Sequence, residues 1–357
     1  MTNKKIKLLT ISDHPLSPSG VGTQTKYMIE ALLKTGRYQV ISLGGAVKHD
    51  NYDPKSVGEH GDDWVVFPVD GYGTEDMIRS VIRTQKPDML WFMTDPRFYE
   101  WLWSIDNEVR AHIPMIYYHV WDNHPAPAFN KGFYESNDLI VSISKVTRDI
   151  VNEVTSDVEN IYLPHAVDSD FFKPIPQESV DAMLEKQNLK DKFVFFWNNR
   201  NARRKLSGSL INLADCTVNI SDAEGFGLAT LESLSCATPI IATMTGGLQE
   251  QVTDGEDWFG IGIEPASKAL IGSQQVPYIF EDRVSEEDVI NAFKKMYEMS
   301  EEDRKALGQA GRNHVQKNYN FADYQKRWVE VMDGAHEKHG SWENRKNYSP
   351  WTLKKIL

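Results

Sequence analysis

The sequence predicts an α/β protein built from two parallel-sheet units in tandem. Three observations carry that prediction. Strand-sized apolar runs alternate with helical periodicity through the first half, a Pro-punctuated stretch follows over residues 164–176, and the same alternation then resumes. In order, residues 6–11 read as a strand, a polar Pro/Ser/Gly loop covers 12–22, and apolar residues at helical spacing run from 25 to 33 and stop at Gly36. Strands follow at 38–43 and 64–69, a helix at 75–84, and buried-type strands at 88–93 and 114–118. A strand at 138–142, a helix at 145–154 and a strand at 160–163 complete the first unit. Beyond the linker, strands are expected at 192–197, 216–220 and 239–242, with a helix over 228–235 between the last two. Residues 286–299 and 301–318 read as long amphipathic helices, and a helix from 321 to about 332 leads into a polar, basic tail.

A chain of 357 residues is too long for one comfortable core and suits two. Its 41% hydrophobic and 25% charged residues are those of a soluble globular protein. The apolar runs are strand-sized and too short to span a bilayer, and the apolar stretch near the N-terminus is too short for a signal sequence, so a cytoplasmic location is expected. Lys and Arg total 39 against 51 Asp and Glu, a net charge of -12. Such a surface repels phosphate backbones, which argues against nucleic-acid binding and leaves room for a small basic pocket that binds one anion. Two cysteines, Cys216 and Cys236, make neither a disulfide framework nor a metal cage by themselves.

The strongest chemical signal is Glu224-Gly225-Phe226-Gly227, where the strand at 216–220 feeds a glycine turn that opens a helix. This places backbone N–H groups and a positive helix end at the carboxyl edge of a sheet, where α/β proteins bind phosphorylated ligands. Glu224 lies in the turn and Glu232 follows eight residues on, inside the helix. A carboxylate accepts paired hydrogen bonds from vicinal hydroxyls, so two spaced carboxylates suit a ligand with two diols, such as a nucleotide sugar. An ordinary helix start with Glu in its favoured place explains the same residues.

Glu224-x7-Glu232 within this turn resembles the retaining GT-B glycosyltransferases of the family 4 group. Ser19-Gly20-Val21-Gly22 resembles their N-terminal glycine loop. Leu163-Pro164-His165-Ala166-Val167-Asp168 resembles their interdomain stretch, with His165-Ala166 where Asn-Gly is usual, and Gly246-Gly247 resembles the loop after the next strand. The resemblance covers most of the chain. It implies the GT-B fold, two Rossmann-like domains facing a cleft: an acceptor-side domain over 1–165, a nucleotide-sugar-binding domain over 166–325, and a C-terminal helix and tail over 326–357 that return to the first domain. It implies sugar transfer from a UDP- or GDP-sugar to an unidentified glycan, lipid or protein acceptor, with no further cofactor and no metal. By the same resemblance Arg200 and Lys205 grip the donor diphosphate, Gly20 and Gly22 let the N-terminal loop approach the phosphates, Gly225, Phe226 and Gly227 form the donor turn, Glu224 holds the donor sugar and Glu232 the ribose. His119 would face the sugar as a catalytic residue beside Glu224. The leaving phosphate can take the acceptor's proton, so no dedicated base is required.

Asp168-Ser169-Asp170 spells a manganese motif of the other glycosyltransferase fold, but it begins a turn in the linker and reads as capping chemistry. Trp91, Trp101, Trp103, Tyr117, Tyr118 and Trp121 are candidates for stacking on an acceptor, although most are expected in the N-terminal core. One departure from the family concerns length. Only 15 residues separate Arg200 from the strand at Cys216, enough for one short crossover helix, so on the order of two βα units, roughly 60 residues, are missing near Ile211 and Asn212. That shortening motivates a second reading, a catalytically impaired glycosyltransferase-like binding or assembly subunit. A nicotinamide oxidoreductase is disfavoured because no Gly-x-Gly-x-x-Gly follows a strand. The tail from Arg345 mixes basic and apolar residues. Packing back on the N-terminal domain is preferred for it over a weak peripheral membrane contact.

Overall fold

The computed structural model describes residues 4–197 and 207–352. Its first unit is an eight-stranded sheet in the order β3-β4-β2-β1-β5-β6-β7-β8. These strands are β1 Ile6–Asp13, β2 Tyr38–Gly45, β3 Lys55–Ser56, β4 Trp64–Pro68, β5 Met89–Met93, β6 Met115–His119, β7 Leu139–Ser142 and β8 Asn160–Tyr162. All neighbouring pairs are parallel except β3 against β4. The second unit is a four-stranded parallel sheet in the order β12-β11-β10-β9, from β9 Phe195–Trp197, β10 Cys216–Asn219, β11 Ile240–Thr243 and β12 Gly260–Ile263. An antiparallel hairpin follows, β13 Ser267–Ile271 with β14 Ile279–Arg283.

The first sheet is buried on both faces, which is why β5 and β6 read as continuous apolar runs rather than alternating ones. Its side chains sort by parity. Leu8, Met89, Trp91, Ile116 and Tyr118 point into one apolar cluster, whereas Leu9, Ile11, Leu90, Phe92 and Tyr117 point into another. The first cluster extends without a break to Leu231, Leu234 and Phe259 of the second unit and to Trp328 of the helix Phe321–His339. The two sheets are therefore joined through shared apolar packing, not only through the chain.

Residues 163–172 behave as a packed strut rather than a free linker. Leu163, Ala166, Val167 and Phe172 are buried in the shared cluster, Gln24 donates to the Ala166 carbonyl at 2.7 Å, and Ser235 donates to that of Phe172 at 2.6 Å. The Asp168 carboxylate accepts from the Asp170 N–H at 2.9 Å, closing a turn. The crossover from β9 to β10 carries the six-residue helix Ser207–Asn212, and the two strands pair directly. β9 is an edge strand that ends on Trp197, 61% exposed.

The helix Phe321–His339 runs longer than its apolar pattern suggests, because Ala335 and His339 are also buried. After it, Trp342 donates its N–H to the His112 carbonyl and its indole N–H to that of Pro87. Arg345 reaches the buried Asp138 carboxylate at 2.6 Å. The segment through Trp342 and Arg345 thus lies on the first unit. Among the described residues, no helix is long and apolar enough to cross a membrane.

Candidate functional site

The carboxyl edges of the two parallel sheets face each other across a cleft of about 620 Å³. One wall is the turn after β10 and the start of the helix Leu228–Ser235: Asn219 to Asp222, then Glu224 to Ala229. The opposite wall is Gly20 and Val21 at the start of the helix Gly20–Lys34, with Met93, Val120, Ile143 and His165. Both walls use the same local device, a strand that ends in a turn and opens a helix, so each presents backbone N–H groups to the space between them.

The turn from Glu224 to Gly227 is held by its own backbone and by close approach to the first unit. The Glu224 carboxylate accepts from the Gly227 N–H at 3.1 Å, and the Glu224 carbonyl accepts from the Gly247 N–H at 2.9 Å. Gly246 has φ 48°, and a Cβ there would lie 2.0 Å from the Glu224 carbonyl oxygen. A Cβ on Gly225 would come within 2.9 Å of the Val120 carbonyl oxygen of the first unit. These contacts require glycine, because any side chain would separate the turn from the loop or the strand end it touches. Phe226 is buried, with its ring edge-on to His165 at 5.0 Å.

Of the residues singled out in the sequence, Gly20, Glu224, Gly225, Phe226 and Gly227 line this cleft together. Gly20 and Gly22 are not in a loop, however. They occupy the first turn of a helix that begins five residues earlier than its apolar spacing indicates, with Ser19 as the N-cap accepting from the Gly22 N–H at 2.9 Å. Glu232 is buried on the inner side of the helix Leu228–Ser235. Arg200 and Lys205 lie outside the described residues.

His119 is not brought to the cleft. It is fully buried, its ring packs between Tyr117 and Tyr134 at 4.9 Å from each, and its Nε2 bonds the Tyr134 hydroxyl at 2.9 Å. Strand alternation is the cause: residues 117 and 119 share the face that looks away from the second unit, while Tyr118 and Val120 look toward it. Burial pushes the His119 imidazole down to about 3, so it is neutral.

Two groups that the sequence reading did not place in the site are found beside it. His165, the departure from Asn-Gly in the interdomain motif, lines the cleft. Its Nδ1 bonds the Tyr118 hydroxyl at 2.7 Å, and that hydroxyl also donates to the Leu163 carbonyl at 3.0 Å. With the tyrosine proton on Leu163, Nδ1 carries the ring proton and Nε2 is an acceptor. Burial lowers His165 to about 3, which keeps it in this neutral form. Asp122, just beyond β6, packs against Gly246. Burial, and then the charge of Glu224, push its carboxyl up to about 7. The unusual residue at position 165 was the available signal for the first. No local pattern marks the second.

The hairpin β13–β14 ties the two walls at one side. The Phe280 N–H donates to the His124 carbonyl at 2.7 Å, and the Asn123 amide donates to the Phe280 carbonyl at 2.9 Å. The Asp282 N–H donates to the Asp222 carbonyl at 2.9 Å. Of the aromatic candidates, Trp91, Trp103, Tyr117, Tyr118 and Trp121 are buried and Trp101 is partly exposed. Among the described residues, no three His, Cys, Asp or Glu side chains converge as a metal cage.

Residues 176–314 match the family model described as Glycosyl transferases group 1. A D-inositol 3-phosphate glycosyltransferase of Thermomonospora curvata is 46% identical over 59 residues, 16% of this chain and 14% of that protein. An uncharacterized glycosyltransferase of Methanocaldococcus jannaschii is 32% identical over 97 residues, 27% of this chain and 22% of that protein. The matched stretches thus span less than a quarter of either relative. Among solved structures, a sucrose-phosphate synthase from Thermosynechococcus elongatus superposes with a TM-score of 0.67 at 13% identity, covering 93% of this chain and 100% of that one. Anabaena HepE in complex with UDP and glucose superposes with a TM-score of 0.65 at 12% identity, covering 92% and 100%. At such identities these structures speak for the fold. The chain has the GT-B fold, and its residues 176–314 match the glycosyl transferases group 1 model.

Proposed function

We propose that this chain is a retaining, metal-independent glycosyltransferase that moves a sugar from a UDP- or GDP-sugar to an acceptor hydroxyl. The observation that carries the proposal is the turn from Glu224 to Gly227, which opens a helix into the cleft directly opposite Gly20 and Val21. In this reading the donor diphosphate lies against the helix start, where N–H groups and the helix dipole favour negative charge. Arg200 and Lys205 add fixed cations to it. Glu224 holds hydroxyls of the donor sugar and Glu232 those of the ribose.

The sugar–phosphate bond breaks with its electron pair on the diphosphate, whose new charge the N–H groups and cations stabilise. The acceptor oxygen bonds to the sugar carbon on the face the diphosphate leaves, and its proton passes to the departing phosphate oxygen. Neutral His165 borders this space and is not required to carry that proton. The solved complexes of Anabaena HepE with UDP-glucose and of an Escherichia coli protein with UDP-2-fluoro glucose favour this donor class on the same fold.

A donor panel tests the proposal. UDP- or GDP-sugars should raise the melting temperature and be hydrolysed slowly, and Glu224→Gln should remove turnover while leaving the fold. Silence across the panel would overturn it. Donor binding without turnover toward any acceptor would favour the impaired binding subunit, a reading that the narrow second sheet also suits.

A further inference from the structure

A second cavity of about 190 Å³ opens at the same edge of the first sheet. His14, Lys48, His49 and Lys55 line it, and Asp50 is the carboxylate among its lining residues. These side chains come from three separate places: His14 follows β1, Lys48 and His49 follow β2, and Lys55 starts β3. On a chain of net charge -12, this concentration of positive groups is local and unusual.

The ring positions are fixed by backbone. The His14 N–H donates to the Gly45 carbonyl at 2.8 Å, and its Nδ1 accepts from the Leu16 N–H at 3.2 Å, which leaves the ring proton on Nε2. His49 donates from Nε2 to the Gly44 carbonyl at 3.1 Å, and its ring centroid is 5.8 Å from that of His14. Among the described residues, neither Lys48 nor Lys55 forms an ion pair. Burial, then the charges of His49 and Lys55, hold His14 below its ordinary value. Two lysines and two imidazoles thus meet around a cavity whose lining holds one carboxylate, Asp50.

One short loop of the chain links the cavity to the cleft. His14 begins the segment whose Ser19 caps the next helix, and Gly20 and Val21 of that helix line the cleft. A molecule with a hydroxyl in the cleft can therefore carry a second group to the cavity without leaving this edge of the sheet. We propose that the cavity binds an oxyanion of the acceptor, a phosphate or carboxylate borne by a polyhydroxylated molecule. This rests on the glycosyltransferase reading and adds the acceptor's chemical class to it. The lysines supply charge, His14 Nε2 supplies a directed donor, and an anion would offset the charge of the two lysines.

The test uses the full chain at constant ionic strength, with the ring C–H signals of His14 and His49 followed by NMR. Inorganic phosphate, glucose 6-phosphate and glucuronate should each shift those signals saturably and raise the titration midpoint of His14, whereas glucose should not. The two sugar acids distinguish a phosphate from a carboxylate. Lys48→Gln/Lys55→Gln, both at exposed positions, should weaken glucose 6-phosphate binding about tenfold, and Lys55→Gln alone by a smaller factor. Unmoved histidine signals, or equal binding by the double variant, would overturn the proposal. UDP and GDP added to the unmodified chain separate the two readings. If either binds and the histidines stay silent to all three anions, the acceptor site falls and the donor site stands. If the anions bind and neither nucleotide does, the anion cavity stands and the transferase reading falls.

Discussion

Asp122→Asn removes a titrating group from the wall between the two sheets with almost no change in shape. In the folded chain the Asp122 carboxyl is pushed from 3.8 up to about 7 by burial and by Glu224. Ionising it there costs about 4 kcal/mol, at about 1.36 kcal/mol for each tenfold step in the acid constant. Asp122 keeps some contact with solvent, which screens part of that cost, so about 2 kcal/mol is the working expectation. The folded state holds this proton more tightly than the unfolded chain does. Its stabilising contribution is therefore complete below pH about 4, falls as pH rises, and levels off above pH about 7. Asparagine does not titrate, so the variant should gain on the parent by about 1 kcal/mol between pH 5 and pH 8, the rest of the change falling below pH 5. Urea unfolding of both proteins at pH 5, 6, 7 and 8 measures the gap. Glu250, which burial also pushes up to about 7, titrates in both proteins and cancels in the difference. A gap that stays constant across this range would refute the reasoning, because it would mean the Asp122 carboxyl ionises as an exposed one does.

Two further substitutions probe the packing that shapes the site. Gly246→Ala places a methyl 2.0 Å from the Glu224 carbonyl oxygen at a φ of 48°, so it should cost about 2–4 kcal/mol in urea unfolding and abolish the thermal shift caused by a UDP-sugar. Parental stability with an intact shift would show that the turn is not held by this contact. Asp138→Ala leaves Arg345 and Arg110 without the buried carboxylate they meet at 2.6 and 3.2 Å, and also orphans the Met115 N–H. A loss of about 3–5 kcal/mol is expected, and a loss below about 1 kcal/mol would mean the C-terminal segment contributes little to the first unit.

The strand–helix alternation of a parallel sheet and the glycine turn at Glu224 are readable in the sequence because both are local patterns. An apolar run such as Met89–Met93 announces a strand covered on both faces, and a strand, a glycine turn and a helix start follow one another within a dozen residues around Glu224. The helix starting at Gly20 begins ahead of its apolar spacing for an equally local reason: its first turn is mostly glycine and threonine, and a serine cap replaces hydrophobic spacing as the start signal. The hairpin β13–β14 had no comparable signature. Its strands carry Lys268, Glu281, Asp282 and Arg283, and it is held in part by hydrogen bonds to His124 and Asp222 from distant loops.

The residues that border the site divide in the same way. By itself the sequence determined an α/β architecture, a glycine turn with its carboxylate, and an acidic chain with space for a basic pocket. Which histidine meets the cleft was decided by tertiary structure, since alternation along β6 turns His119 into one core and the second unit packs on the other face, where His165 stands. The elevated Asp122 and the cluster of His14, Lys48, His49 and Lys55 also exist only after folding. Their properties come from desolvation and from charges that approach one another in space, and neither distance along the chain nor composition encodes those.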